Sequence, residues 1–303
     1  MKLWQGVLLG VVGLVVVAAG IAGWLVVKRP LTVYAWQTRL ALASLGLERR
    51  SVASPAGRQC VFVGGSGPPV VLLHGAGDQA GTWSKVAGAL LPRHTLIVPD
   101  LAGHGRSQPR TGPISAGAVL AGLEAVVEQL RGGQPVTVVG NSLGAWMAML
   151  LAHRHPDWVA TVVAINGGAL TGSNQHARVL PRTRAEAREA MAQVRDGASP
   201  PVPDFVLDDV IREASRGPLA RFAATAAEMG AFTLDGKLAQ LHTPVHLVWG
   251  ESDRLMPLDY AQRMRAELPQ ATLVTIPRCG HVPQVECPQQ LLAVLAPLLE
   301  GPE

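Results

Sequence analysis

Ser142 stands inside Gly140-Asn141-Ser142-Leu143-Gly144, a G-x-S-x-G segment. A serine hydroxyl attacks a carbonyl carbon only when a base takes its proton and a carboxylate orients that base. Two later residues have the right types. Asp253 lies in Trp249-Gly250-Glu251-Ser252-Asp253-Arg254, and His281 in Cys279-Gly280-His281-Val282-Pro283. Glu251 is a rival acid two residues from Asp253. Such a serine, histidine and carboxylate would together perform nucleophilic acyl transfer.

These side chains need elements to present them. Before Ser142 runs Pro135-Val136-Thr137-Val138-Val139, a β-branched stretch that reads as a buried parallel strand. After it comes Ala145-Trp146-Met147-Ala148-Met149-Leu150-Leu151-Ala152-His153, rich in helix formers. The serine thus falls on a sharp strand-to-helix turn, and the flanking glycines let the two elements pack closely. The free N–H groups and positive dipole end of that helix suit a developing oxyanion. Asp253 follows the apolar run Val245 to Trp249, and His281 follows Thr272 to Ile276. In a parallel sheet all three would share the carboxyl edge of the strands.

The rest of the chain keeps a strand–helix alternation. Cys60 to Val63, Val70 to Leu73, His94 to Pro99 and Val159 to Ile165 read as further strands. Ser115 to Arg131 reads as an amphipathic helix, and Leu258 to Leu268 and Pro288 to Leu299 as later ones. At Asn166 the rhythm breaks. Helical stripes follow at Ala187, Ala190, Met191 and Val194, then Leu207, Val210, Ile211 and Ala214, then Leu219, Phe222, Ala223 and Ala226. This insertion is either a packing subdomain or a lid. Three thin stripes cannot bury Met191, Val206, Leu207, Ile211, Phe222, Met229 and Phe232 alike. The remainder is expected to line an apolar acyl channel over Ser142.

The N-terminus has another character. Leu3 to Val27 is 25 residues without a charge, enough for a helix to cross roughly 30 Å of hydrocarbon. Trp4 and Trp24 sit near its ends, as in an aromatic belt. Three readings stand: an uncleaved anchor, a signal cleaved after Ala18-Ala19-Gly20, and a core helix. The length of the run favours the anchor. Leu31 to Leu47 reads as a helix lying on the membrane or the body, with Val33, Trp36, Leu40 and Ala43 or Ser44 at approximate helical spacing. Lys28, Arg29 and Arg39 beyond the run, against Lys2 before it, favour a cytoplasmic body by a narrow margin.

Three cysteines, Cys60, Cys279 and Cys287, make no even framework, so they read as buried thiols, a further slight lean toward the cytoplasm. No ligand spacing suggests a metal. The net charge of +4 comes from scattered basic residues. That pattern reads as solvated charge ahead of its alternative, a mild attraction to anionic headgroups, and carries no nucleic-acid signal. His74 and His104 read as structural groups bonding loop backbones, while His94, His153, His155, His176, His242 and His246 sit in no motif.

Five segments in this order resemble the α/β-hydrolase superfamily. They are His74-Gly75, Asp100-x-x-Gly103-His104-Gly105-x-Ser107, Gly140-x-Ser142-x-Gly144, Trp249-Gly250-x-x-Asp253-x-x-x-Pro257 and Gly280-His281. The resemblance runs from about residue 58 to the end. It implies a mostly parallel α/β sheet flanked by helices and a Ser142–His281–Asp253 triad. It also implies an oxyanion hole from the backbone N–H groups of Ala76 and Leu143, and no cofactor. The inserted segment is similar to the family's cap. Anchor and short cap together resemble membrane-bound monoacylglycerol lipases and related esterases, which implies small-molecule or lipid esters as substrates. The same motifs occur in C–C hydrolases, peroxidase-like members and aminopeptidases, so a small-ester or C–C bond hydrolase stands as the alternative. So does a catalytically silent binding module of the same fold, against which the intact triad argues. The expected organisation is an anchor at 1–29, a linker with a juxtamembrane helix at 30–57, a core at 58–166 and 237–303, and a cap at 167–236.

Overall fold

The computed structural model describes residues 2–172, 179–268 and 270–300, without the side chains of residues 2, 3, 5–10 and 12. His176 and residues 173–178 of the inserted segment lie outside that description. Helix α1 (Lys2–Lys28) opens the chain. It covers little of itself: Leu14, Val16, Ile21 and Trp24 are all more than half exposed. Pro30 starts α2 (Pro30–Ser44), where its missing N–H costs no helical bond. Among the described residues no single helix is long and apolar enough to cross a membrane. Gly13–Lys28 and Pro30–Ser44 meet that test only as a pair, bent by 107°.

Next come β1 (Glu48–Ser54) and β2 (Gly57–Gly65), an antiparallel hairpin. Residues 48–54 carry too many charges to read as a core strand. They pair at the sheet edge, with only Val52 buried. Then follow β3 (Pro69–Leu73), α3 (Ser84–Leu90), β4 (Thr95–Pro99), α4 (Ala116–Leu130), β5 (Val136–Asn141), α5 (Leu143–Arg154) and β6 (Val159–Ile165). The inserted segment supplies α6 (Arg184–Val194), α7 (Asp204–Arg216) and α8 (Pro218–Ala223). The third stripe is cut short, because the chain tightens into a 3-10 turn over Ala226–Phe232. The sheet resumes with β7 (Val245–Gly250), α9 (Leu258–Glu267), β8 (Thr272–Ile276), α10 (Pro283–Glu286) and α11 (Pro288–Glu300).

The strands join in one sheet of order β1-β2-β4-β3-β5-β6-β7-β8. It is parallel from β4 through β8 and antiparallel at β1 and β2. Strand period two splits the core into two faces. Val71 and Leu73 pack toward α4, α5 and α9, and Val70 and Leu72 toward α2, α3 and α11. Both faces are covered, which is why the central strands are apolar throughout.

One expectation fails. Cys279 and Cys287 are not separate thiols: they form a disulfide, with Cα atoms 6.0 Å apart. The pair closes the short loop that carries His281. Their eight-residue spacing spans a turn, and α10 folds it back so that the two Cβ atoms face. Cys60 stays free and buried. The cysteine argument for a cytoplasmic body therefore lapses.

Candidate active site

Ser142 lies between β5 and α5 with φ 55 and ψ −113. A side-chain-bearing residue with positive φ stores about 1–3 kcal/mol of strain. Close packing holds it there. A Cβ on Gly140 would lie 2.3 Å from the Gly144 carbonyl carbon, and one on Gly144 would lie 2.4 Å from the Leu73 oxygen. Both positions need glycine, so the spacing of the segment follows from sterics. The Ser142 N–H donates to the Ile165 carbonyl at 2.9 Å, which pins the turn to β6.

The structure brings Asp253 and His281 into contact. Asp253 Oδ2 accepts from His281 Nδ1 at 2.7 Å, with both residues 5% exposed. Asp253 Oδ1 accepts from the N–H groups of Leu255 and Met256, each at 2.9 Å. The carboxylate is thus fixed on one oxygen and presents the other to the imidazole. That bond on Nδ1 leaves Nε2 as the nitrogen for proton exchange. Glu251 instead accepts from Thr275 Oγ1 at 2.8 Å on the exposed side of β8.

Two buried asparagines join the three strand ends. Asn141 Nδ2 donates to the His281 carbonyl at 2.8 Å, and its Oδ1 accepts from Gln284 Nε2 at 3.1 Å. Asn166 sits at the end of β6 with φ 48, a left-handed conformation asparagine tolerates. Its Oδ1 accepts from Gly250 N at 2.8 Å, and its Nδ2 donates to the Gly280 carbonyl at 2.7 Å. One side chain therefore ties the Asp253 loop to the His281 loop. The sequence reading missed Asn141, Asn166 and Gln284. The available signal was an asparagine placed directly at the end of an apolar strand, where nothing local needs an amide.

The loop after β3 carries Ala76. Asp78 N–H donates to the Gly75 carbonyl at 3.2 Å, and Gly77 has φ +82, a turn position that favours glycine. A Cβ on Gly75 would approach Ser142 Cβ to 3.3 Å, so this loop passes directly over the serine. Leu143, the other expected oxyanion donor, is the first residue of α5. His74 lies beneath. Its Nε2 accepts from Leu101 N at 2.9 Å and its Nδ1 faces the Gly75 carbonyl at 2.8 Å. That pattern requires the neutral ring with the proton on Nδ1. Burial pushes the His74 pKa down to about 4 and the His104 pKa to about 3, His104 also feeling His74.

A cavity of about 570 Å³ is walled on one side by Ala76 and Gly77 of the loop that passes over Ser142, though Ser142, Asp253 and His281 do not themselves line it. Its size is within the roughly 300–1,000 Å³ usual for ligand pockets. Its walls differ from those expected. Of the seven residues proposed for a channel, Met191 lines it. Leu207 and Phe222 are consumed by packing, at 0% and 6% exposure, and Phe232 presses on Gly117 of α4. Helix α2 replaces them, with Leu31, Tyr34, Ala35 and Trp36 in the wall. Three contacts dock α2 there. Leu31 N–H donates to the buried Asp209 carboxylate at 3.0 Å, Gln79 Nε2 donates to Thr38 Oγ1 at 3.0 Å, and Arg39 lies 4.0 Å from Asp100.

With this geometry established, three comparisons bear on it. The profile described as the alpha/beta hydrolase family matches residues 70–294. A pimeloyl-[acyl-carrier protein] methyl ester esterase from Chromobacterium violaceum is 31% identical, over 78% of this chain and 96% of its own length. A 2-hydroxy-6-oxo-6-phenylhexa-2,4-dienoate hydrolase from Burkholderia cepacia is 27% identical, over 73% of this chain and 84% of its own. Among solved structures, a membrane phospholipase A described as a bacterial virulence factor superposes with a TM-score of 0.75. It is 25% identical and covers 98% of both chains.

Proposed function

The chain belongs to the alpha/beta hydrolase family, and we propose that it is a membrane-anchored serine hydrolase of lipid-like carboxylic esters. The observation that carries the chemistry is the 2.7 Å bond between Asp253 and His281 beside the strained Ser142 turn. His281 Nε2 takes the Ser142 proton as Oγ attacks the ester carbonyl. Asp253 holds the ring and stabilises its charged form. The N–H groups of Ala76 and Leu143 receive the tetrahedral oxyanion. The alcohol leaves with the proton from His281, and an acyl-enzyme remains. Water then gives a proton to His281 as it attacks the acyl carbon, and His281 passes that proton to Ser142 Oγ as the acyl–oxygen bond breaks and the acid leaves. Every step uses groups of this chain.

The substrate class rests on the apolar wall of the cavity and on the N-terminal segment. Helix α1 exposes an uncharged apolar surface, and its continuation α2 forms one side of the cavity. A protein held at a bilayer in this way meets lipid esters at high local concentration. Likeness to a membrane phospholipase and to an ester hydrolase supports the same reading. The segment 167–236 acts as the cap that closes the cavity opposite α2. Likeness to a hydrolase acting on a dienoate favours C–C bond cleavage as the second reading.

Turnover of full-length, detergent-solubilised protein separates these readings. The substrates are p-nitrophenyl esters from acetate to palmitate, monoacylglycerols and a phospholipid. A kcat/KM maximum at medium or long acyl chains, with release of acid from a lipid ester, supports the proposal. A steep preference for acetate with no lipid turnover refutes the lipid assignment. Turnover confined to a vinylogous keto acid would place the chain with the C–C hydrolases.

A further inference from the structure

Three hollows on one side of the molecule share their walls. The substrate cavity includes Trp36 and Arg110 in its lining. A second hollow of about 400 Å³, between α2 and the hairpin edge, is bounded by Trp36, Leu40, Arg49 and Arg106. A third of about 570 Å³ is bounded by Arg49, Arg58, Arg106 and Arg110. Trp36, Arg49, Arg106 and Arg110 each belong to two of them, so the three form a continuous face. Basic residues that are scattered in the sequence are gathered here by the β1–β2 hairpin and the loop after β4.

The first hollow also has Asp78 and Glu213 in its lining, but no acidic residue lines the second or the third, where the charge is unbalanced. Arg49, Arg58, Arg106 and Arg110 are exposed, and none has a carboxylate partner among the described residues. Among the described residues Arg110 donates to the Gly105 carbonyl alone, at 2.9 Å. Asp100 lies beneath, but its carboxylate is buried and accepts from Ala80 N and Arg106 N. Beside the arginines the apolar residues are bare: Trp36 is 46% exposed and Leu40 is 69% exposed. An uncompensated guanidinium cluster next to an exposed tryptophan and leucine fits a surface that is anionic above and hydrocarbon beneath.

The direction of α1 gives this face its place. The bend of 107° sets α2 near a right angle to α1. When α1 stands across a bilayer, α2 lies along its surface. We propose that Trp36 and Leu40 enter the interfacial layer of an anionic bilayer while Arg49, Arg58, Arg106 and Arg110 hold its headgroups. The mouth of the substrate cavity, which shares Trp36 and Arg110 with this face, then opens onto lipid. The inference rests on the reading of α1 as an anchor. It adds a second, charge-dependent contact that the anchor alone does not require.

The test uses the full-length protein with Leu40→Cys carrying an environment-sensitive nitrobenzoxadiazole label, Cys60 being buried and the other cysteines paired. It is reconstituted in phosphatidylcholine vesicles with or without phosphatidylglycerol. Flotation in alkaline carbonate reports α1 separately. The expected result is a blue-shifted label, quenched severalfold more by nitroxide lipid when phosphatidylglycerol is present. Arg49→Glu with Arg58→Glu should lower the docked-to-undocked ratio about tenfold or more, as for two headgroup-facing arginines. Hydrolysis of a soluble short ester should stay unchanged in that variant, which shows that it folds. Flotation retained with a water-like label in both vesicle types overturns this surface and leaves the anchor standing. Loss of flotation overturns the anchor and this surface with it.

Discussion

The two sides of the candidate active site are built differently. The sheet edge is stitched by buried, directional bonds: Asp253 to His281, Asn166 to Gly250 and Gly280, and Asn141 to His281 and Gln284. The opposite wall is made of α2 and the inserted helices. It is held by apolar contact and a few docking bonds, and its outer face carries exposed ion pairs such as Arg184 with Asp204 and Asp208. Exposed pairs of this kind contribute little. Chemistry needs atoms fixed to a fraction of an ångström, whereas acyl binding needs only apolar area of suitable shape. One edge is therefore rigid and specific in residue type, and the other wall is free to vary.

The sharpest way to break the comparison is to cut a stitch. Asn166→Ala removes the acceptor for Gly250 N and the donor to the Gly280 carbonyl, both buried. It should cost about 2–6 kcal/mol of stability in urea unfolding, the sum for two unsatisfied groups. It should also lower kcat about a hundredfold with KM little changed, because the Asp253 and His281 loops lose their shared tie. Normal kcat with normal stability would show that the edge is not held as described.

This stitching also explains what could be read in advance. Gly140, Ser142, Gly144, Asp253 and His281 announce themselves because sterics and proton transfer leave few alternatives at those positions. The parallel core was legible from its apolar runs for the same reason. Hairpin strand β1 was not, because an edge strand buries almost nothing: Val52 alone is covered. Asn141 and Asn166 were invisible because their partners lie up to 143 residues away. The cavity wall was misplaced because amphipathic stripes show which residues are apolar, not what covers them. Leu207 and Phe222 found partners, and Tyr34 and Ala35 of α2 took the wall instead.

Acid should loosen the loops beneath the serine turn. The folded-state pKa values of His74 and His104, about 4 and about 3, lie below their ordinary 6.5. The unfolded chain therefore takes up protons first as pH falls. The stability from keeping these rings neutral is present above about pH 6.5. It declines below that, and is gone once pH passes about 4 for His74 and about 3 for His104. For His74 the loss is on the order of 3 kcal/mol. Urea midpoints measured from pH 7 to pH 4 should fall, and His74→Gln should flatten part of that slope. A slope unaffected by the substitution would exclude His74 as its source.

A smaller effect sharpens the other side of the comparison. Ala35 of α2 lines the cavity. Ala35→Trp should shorten the preferred acyl chain and leave short esters untouched. Each excluded methylene should cost about fourfold in kcat/KM, the equivalent of about 0.8 kcal/mol. An unaltered chain-length profile would mean that acyl groups bind elsewhere.

The central claim is that Ser142 is an activated nucleophile. A fluorophosphonate probe forms a stable adduct only with such a serine, and peptide mass spectrometry locates it. Labelling should be fast and confined to the peptide containing Ser142, absent in Ser142→Ala, and slowed by at least about a hundredfold in Asp253→Asn. Glu251→Gln should label at the normal rate. An unlabelled protein, an adduct on another residue, or undiminished labelling of Asp253→Asn would contradict the account.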